Sequence, residues 1–181
     1  MAARAAGRRN VKSVSAAAYA HERTKDYLTE AEVGALLDAL KAGRHAARNH
    51  LLVLMIYRHG LRVSEAIDLR GDEVEHPIAG DELRAIRRHL ALRADNRPWL
   101  FLSERGQPLT RQAVNELLAA AAKAAGLAPV HPHMLRHACG FYLANRGFDL
   151  RLIQDYLGHR DPKHTAHYTR VAGHRFEELW R

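Results

Sequence analysis

Three short segments near the C-terminal end of the chain gather residue types that act on phosphate. They are His133-Met134-Leu135-Arg136-His137, Leu157-Gly158-His159 and His167-Tyr168-Thr169. A fourth, His59-Gly60-Leu61-Arg62-Val63-Ser64-Glu65, adds a second arginine. Guanidinium groups grip phosphate oxygens through forked, charge-assisted hydrogen bonds. Imidazoles donate hydrogen bonds or move protons close to neutral pH. A tyrosine hydroxyl titrates near ~10, so it attacks only when it is well placed and its electrophile is already stabilised. Arg62, His133, Arg136, His159 and Tyr168 therefore form a set suited to holding a phosphate and attacking it.

Helices must bring this set together. Pro132 fits the first position of a helix, where its missing N–H costs nothing. His133 and Arg136 then fall three residues apart on one face of the first turns, where free N–H groups and the helix dipole favour an anion. Leu135, Ala138 and Phe141 face inward in that register. Leu157-Gly158-His159 reads as a helix end that presents a histidine at the turn. Tyr168 follows nine residues later, beyond Pro162. Arg62 falls at a helix–helix corner after Gly60, with Glu65 one turn on, where a carboxylate can orient it. Taken singly, each residue has a plainer reading. His133 would be a capping histidine, Arg136 an exposed arginine, His159 structural, Tyr168 a core aromatic and Cys139 a small core residue.

The remaining pattern is almost entirely helical. Thr29 caps a first helix that carries Glu30 and Glu32 in its opening turn and Val33, Leu36, Leu37 and Leu40 at helical spacing. A more apolar helix spans about 44–57, a short one about 63–69, and another about 81–92, with Leu83, Ile86 and Leu90 on one face and Arg84, Arg87 and Arg88 elsewhere. Trp99-Leu100-Phe101-Leu102 reads as a short buried strand or an extended packing segment. Thr110 caps a helix to about 125. Further helices are expected near 132–146, 149–157, 162–168 and 175–180. Residues 1–26 read as a basic arm, either a flexible tail or a contact to a nucleic-acid backbone, and 27–181 as one folded domain.

The 181 residues are 47% apolar, enough for a core, and carry a formal net charge of +8. Only five of the 28 basic residues are lysines: Lys12, Lys25, Lys41, Lys123 and Lys163. Arginine-rich positive charge points to a nucleic-acid partner, against the plainer alternative of a generally basic surface. The single cysteine leaves no intrachain disulfide or thiolate zinc cluster. No apolar run approaches the ~18 residues of a membrane span, and Arg4, Arg8 and Arg9 are not followed by a signal-peptide core. A cytoplasmic protein without a membrane partner is expected.

Arg62, His133-x-x-Arg136, His159 and Tyr168, in that order and spacing, resemble the catalytic domain of the tyrosine recombinases, the phage integrase family. The text around them is most similar to the small fimbrial-switch recombinases. His45-Ala46-Ala47-Arg48-Asn49, Tyr57-Arg58-His59-Gly60-Leu61-Arg62, His131-Pro132-His133 and Arg151 to Arg160 carry that likeness. The resemblance implies a mainly α catalytic domain that acts on double-stranded DNA as a homo-oligomer, with no cofactor and no small-molecule substrate. By that resemblance Arg62 and Arg136 clamp the scissile phosphate, and His133 and His159 assist. Tyr168 forms a 3′-phosphotyrosyl link, and Glu65 and His137 support the site. Arg58, Arg111, Arg160 and Lys163 would contact DNA. Phe176, Leu179 and Trp180 would dock on a neighbouring subunit.

One segment departs from the family. Between Leu69 and Pro77, where relatives carry a β-hairpin with a general-acid lysine, this chain has only Arg70-Gly71-Asp72-Glu73-Val74-Glu75-His76. That is short for two strands and holds no lysine. General acid catalysis contributes ~10²–10⁴-fold, so a degenerate DNA-binding relative with weak cleavage is the alternative. A metal-dependent hydrolase using His133 and His137, four residues apart, is a third reading, weakened by the lack of an H-E-x-x-H pattern.

Overall fold

The computed structural model describes residues 25–71, 77–158, Thr165 and Tyr168. Among them are seven helices: α1 (Glu30–Ala39), α2 (Ala46–Arg58), α3 (Val63–Asp68), α4 (Gly80–Ala91), α5 (Arg111–Ala124), α6 (Pro132–Asn145) and α7 (Leu150–Tyr156). The helices expected near 162–168 and 175–180, including Phe176, Leu179 and Trp180, fall outside the described residues apart from Thr165 and Tyr168. Residues 72–76 and the basic arm through residue 24 also lie outside them.

The starts of α1, α5 and α7 follow from their caps. Thr29 Oγ1 accepts from Glu32 N at 3.3 Å, and the Glu32 carboxylate accepts from Thr29 N at 2.8 Å, closing a reciprocal box. Thr110 accepts from Ala113 N at 3.1 Å, and Asp149 accepts from Leu152 N at 2.9 Å.

The middle of the molecule is α2. Leu51 through Ile56 are six consecutive buried side chains, so no face of that stretch meets water. It packs against α1, α3, α4 and α6. At roughly 1.5–3 kcal/mol for each large apolar side chain fully buried, α2 is the main organiser of the core. Trp99–Leu102 settles as extended packing, held by isolated bridges between Arg70 and Trp99 and between Leu102 and Pro108. Its Phe101 is fully buried. A smaller cluster gathers Cys139, Phe141, Ala144, Ile153, Leu157 and Tyr168 between α6 and α7.

Helix α4 reverses its apolar pattern. Leu83 and Leu90 are 39% and 44% exposed, whereas Glu82 and His89 are buried. The polar pair is tolerated inside because it is satisfied. Glu82 Oε1 pairs with His59 Nε2 at 3.0 Å and Glu82 Oε2 accepts from Ala79 N at 2.9 Å. His89 Nε2 donates to Leu100 O at 2.9 Å.

Candidate phosphate-binding and nucleophile site

Gly60 makes the corner that presents Arg62. Its φ of +59° is a left-handed turn that favours glycine, and a Cβ there would collide with Cδ2 of Leu157, the residue just after α7. Arg62 occupies the residue before α3, with its side chain half exposed. Glu65 holds it at both ends: Oε2 accepts from Arg62 N at 2.7 Å and Oε1 from Arg62 Nη1 at 2.8 Å. Burial alone would raise the Glu65 carboxyl, but the hydrogen bonds from Arg62 outweigh it and leave the carboxyl below its ordinary value.

Arg136 lies on the same side of α6 as His133, but deeper. It is 3% exposed. Its Nη1 donates to Gly60 O and its Nη2 to Leu157 O, so one guanidinium ties the α2–α3 corner to the end of α7. A guanidinium has five N–H donors, and those two contacts orient the plane while others remain for an oxyanion. Burial lowers the Arg136 pKa, with the nearby Arg62 charge acting in the same direction. An anion between the two arginines would relieve that repulsion. His133 is exposed, and its pKa is lowered by partial burial and then by Arg136, which favours the neutral imidazole.

Tyr168 is 1% exposed, against α6. Its Oη lies 3.0 Å from His137 Nδ1, and its ring makes an edge contact with Phe141 at 5.1 Å between centroids. Gly140 is what admits the ring. A Cβ at that position would come within 2.5 Å of Tyr168 Cε2 and 2.6 Å of Cζ. Burial pushes the phenol up to about 12, with Arg136 pulling the other way.

Leu61, Arg62, Val63, Ser64, Arg111, Asn115, His131, Pro132 and His133 enclose a recess of about 380 Å³. Arg62, His133 and Arg111 thus share one opening. Arg58 is placed elsewhere. Its guanidinium forks onto Asp81 at 2.7 and 2.5 Å and reaches Glu82 at 3.4 Å, binding α2 to α4. The arginine expected to contact DNA is therefore held by two carboxylates. His159, Arg160 and Lys163 lie outside the described residues. Ser64, Asn115 and His131 line the recess without having been anticipated; His131, just before the helix-starting Pro132, is the one whose position could have signalled it.

Residues 26–76 and 70–175 match the model of the Phage integrase family. The chain belongs to the phage integrase family. Similar members include the type 1 fimbriae regulatory protein FimB of Escherichia coli (strain K12), 39% identical over 184 residues, covering 89% of this chain and 92% of FimB. FimE of the same strain is 41% identical over 178 residues, covering 85% of this chain and 90% of FimE. The fold matches that of the site-specific recombinase XerH bound to palindromic difH in a post-cleavage complex, with a TM-score of 0.73 and 24% identity. That match covers 84% of this chain and 51% of the XerH chain, so this phage integrase family member spans about half of the larger protein. The two family-matched stretches overlap at 70–76, in the connection between α3 and α4.

Proposed function

We propose that this protein is a site-specific DNA recombinase that cuts and rejoins strands through a 3′-phosphotyrosyl intermediate. The observation that carries this reading is the seating of Tyr168 on the helix that bears His133 and Arg136, with Arg62 and Glu65 at the facing corner. Arg62 and Arg136 bind the scissile phosphate of double-stranded DNA, and their charge stabilises the crowded, more negative transition state. His133 donates to a phosphate oxygen from the rim, and His159 is assigned the same task. Tyr168 Oη attacks phosphorus, the 5′-oxygen leaves, and a 5′-hydroxyl from another strand reverses the step. Phosphodiester energy is kept in the tyrosyl link, so the cycle needs no nucleotide. Exchange between two duplexes calls for more than one copy of the chain, hence a homo-oligomer on DNA. Arg111, Arg160 and Lys163 are assigned to the flanking backbone.

A weakly cleaving, DNA-binding regulator is the second reading. It is favoured by the connection from Leu69 to Pro77, which lacks the lysine expected to protonate the leaving oxygen. One experiment separates the two. A nicked suicide duplex, its sequence taken from DNA that the protein retains out of a random pool, is incubated with the protein and run on a denaturing gel. A covalent band lost in Tyr168→Phe is expected. Tight DNA retention with no covalent band would establish the second reading instead.

A further inference from the structure

The phenol of Tyr168 is almost wholly removed from water, so its proton cannot pass directly to bulk solvent during attack. The ring of His137 stands against it, with Nδ1 3.0 Å from the hydroxyl oxygen and the two rings in edge contact at 5.7 Å between centroids. His137 in turn meets His133 one helical turn earlier, edge to face, at 4.4 Å between ring centroids. His133 is exposed at the mouth of the recess. The order from the buried phenol to the surface is therefore Tyr168, His137, His133.

Resting on the reading of Tyr168 as nucleophile, we propose that His137 Nδ1 is the base that accepts the phenolic proton. As the Oη–P bond forms, the proton moves from Oη to His137 Nδ1. The P–O5′ bond breaks, and the 5′-oxygen takes a proton from water. In the rejoining step an incoming 5′-hydroxyl attacks and gives up its proton to solvent water, the Oη–P bond breaks, and His137 returns its proton to the phenolate. The groups that face this pair are consistent with a transient charge. Arg136 lies close enough to stabilise the phenolate, and among the described residues Cys139 and Asp26 also act electrostatically on Tyr168. Burial and Arg136 lower the His133 pKa, so the ring in edge contact with His137 adds no positive charge that would oppose a transient imidazolium there.

The test uses a duplex with a bridging 5′-phosphorothiolate at the cleaved bond, its sequence again drawn from a random pool retained by the protein. A thiolate leaves without protonation, so adduct formation reads activation of the nucleophile alone. The wild-type protein is expected to form the adduct and Tyr168→Phe to form none. His137→Gln is expected to retain DNA normally but form adduct ~10²-fold or more slowly. Its rate is also expected to lose the acidic limb in the histidine range that wild type keeps. A wild-type rate and pH profile in His137→Gln overturns the assignment while leaving Tyr168 as nucleophile. Adduct from Tyr168→Phe, or none from wild type, overturns both together. Independently of any variant, nitrogen NMR of histidine-labelled wild-type protein at neutral pH should show His137 Nδ1 without a proton; a protonated Nδ1 there overturns the proposal.

Discussion

Replacing Arg136 by lysine keeps a positive charge near the proposed phosphate but removes the rigid fork whose two nitrogens reach Gly60 O and Leu157 O separately. A buried carbonyl left without a partner costs about 1–3 kcal/mol. Arg136→Lys should therefore lower unfolding free energy by about 2 kcal/mol in urea titrations as well as losing adduct formation. Unchanged stability would show that the tie is not structural. Gly140→Ala should displace the Tyr168 ring, because the new methyl falls within 2.8 Å of three ring atoms. Tyrosine fluorescence quenching and nitration of Tyr168 in the free protein are expected to rise several-fold. Neither the seat at Gly140 nor the double carbonyl contact can be read from residue types and spacing. They depend on which parts of the chain touch, and His133-x-x-Arg136 gives the face of the helix but not the depth at which each side chain ends.

Helix α2 was open to a sequence reading because a run of apolar residues too long for one face can only lie inside. Truncating it, as in Leu52→Ala, should cost 2–5 kcal/mol by chemical denaturation. Helix α4 misleads the same kind of reading. Its leucines look like the inward face, yet the buried positions are Glu82 and His89, chosen by pairing with His59 and Leu100 O. Long-range polar partners leave no periodic trace in sequence. Glu82→Gln should accordingly cost about 3 kcal/mol by removing the buried carboxylate that pairs with His59 Nε2 and accepts from Ala79 N, while Leu83→Ala should stay within about 0.5 kcal/mol. Similar losses for the two would contradict the inverted register. The caps at Thr29 and Thr110 were readable because they use contacts three residues apart. The Arg58–Asp81 fork was not, because its partners lie twenty-three residues apart.

At the scale of the whole molecule, acid should act in two stages. Burial lowers the His50 and His89 pKa values, so each favours folding above its unfolded value of ~6.5 and loses that contribution as pH falls below it. Asp81, hydrogen-bonded by Arg58, and Glu32, hydrogen-bonded by Lys25, are held at about 2. Their contribution is intact above ~4 and is lost as pH falls toward 2. Melting temperature should thus be level above about pH 7, decline below ~6.5 and decline again below ~4; a melting temperature that rises on acidification would contradict these signs. With a net charge of +8, DNA affinity should fall steeply with added salt, by about 0.9 log units per log unit of salt for each phosphate neutralised. The seat that Gly140 makes for Tyr168 also joins chemistry to affinity through thermodynamic linkage. If bound DNA shifts the ring toward the phosphate with its hydroxyl still on His137, part of the binding energy goes to loosening that seat, and a chain whose seat is already loose should bind DNA more tightly by the same factor. Nucleophile release and affinity would then be two readings of one equilibrium, and Gly140→Ala, compared with wild type in a simple binding titration, would report its size.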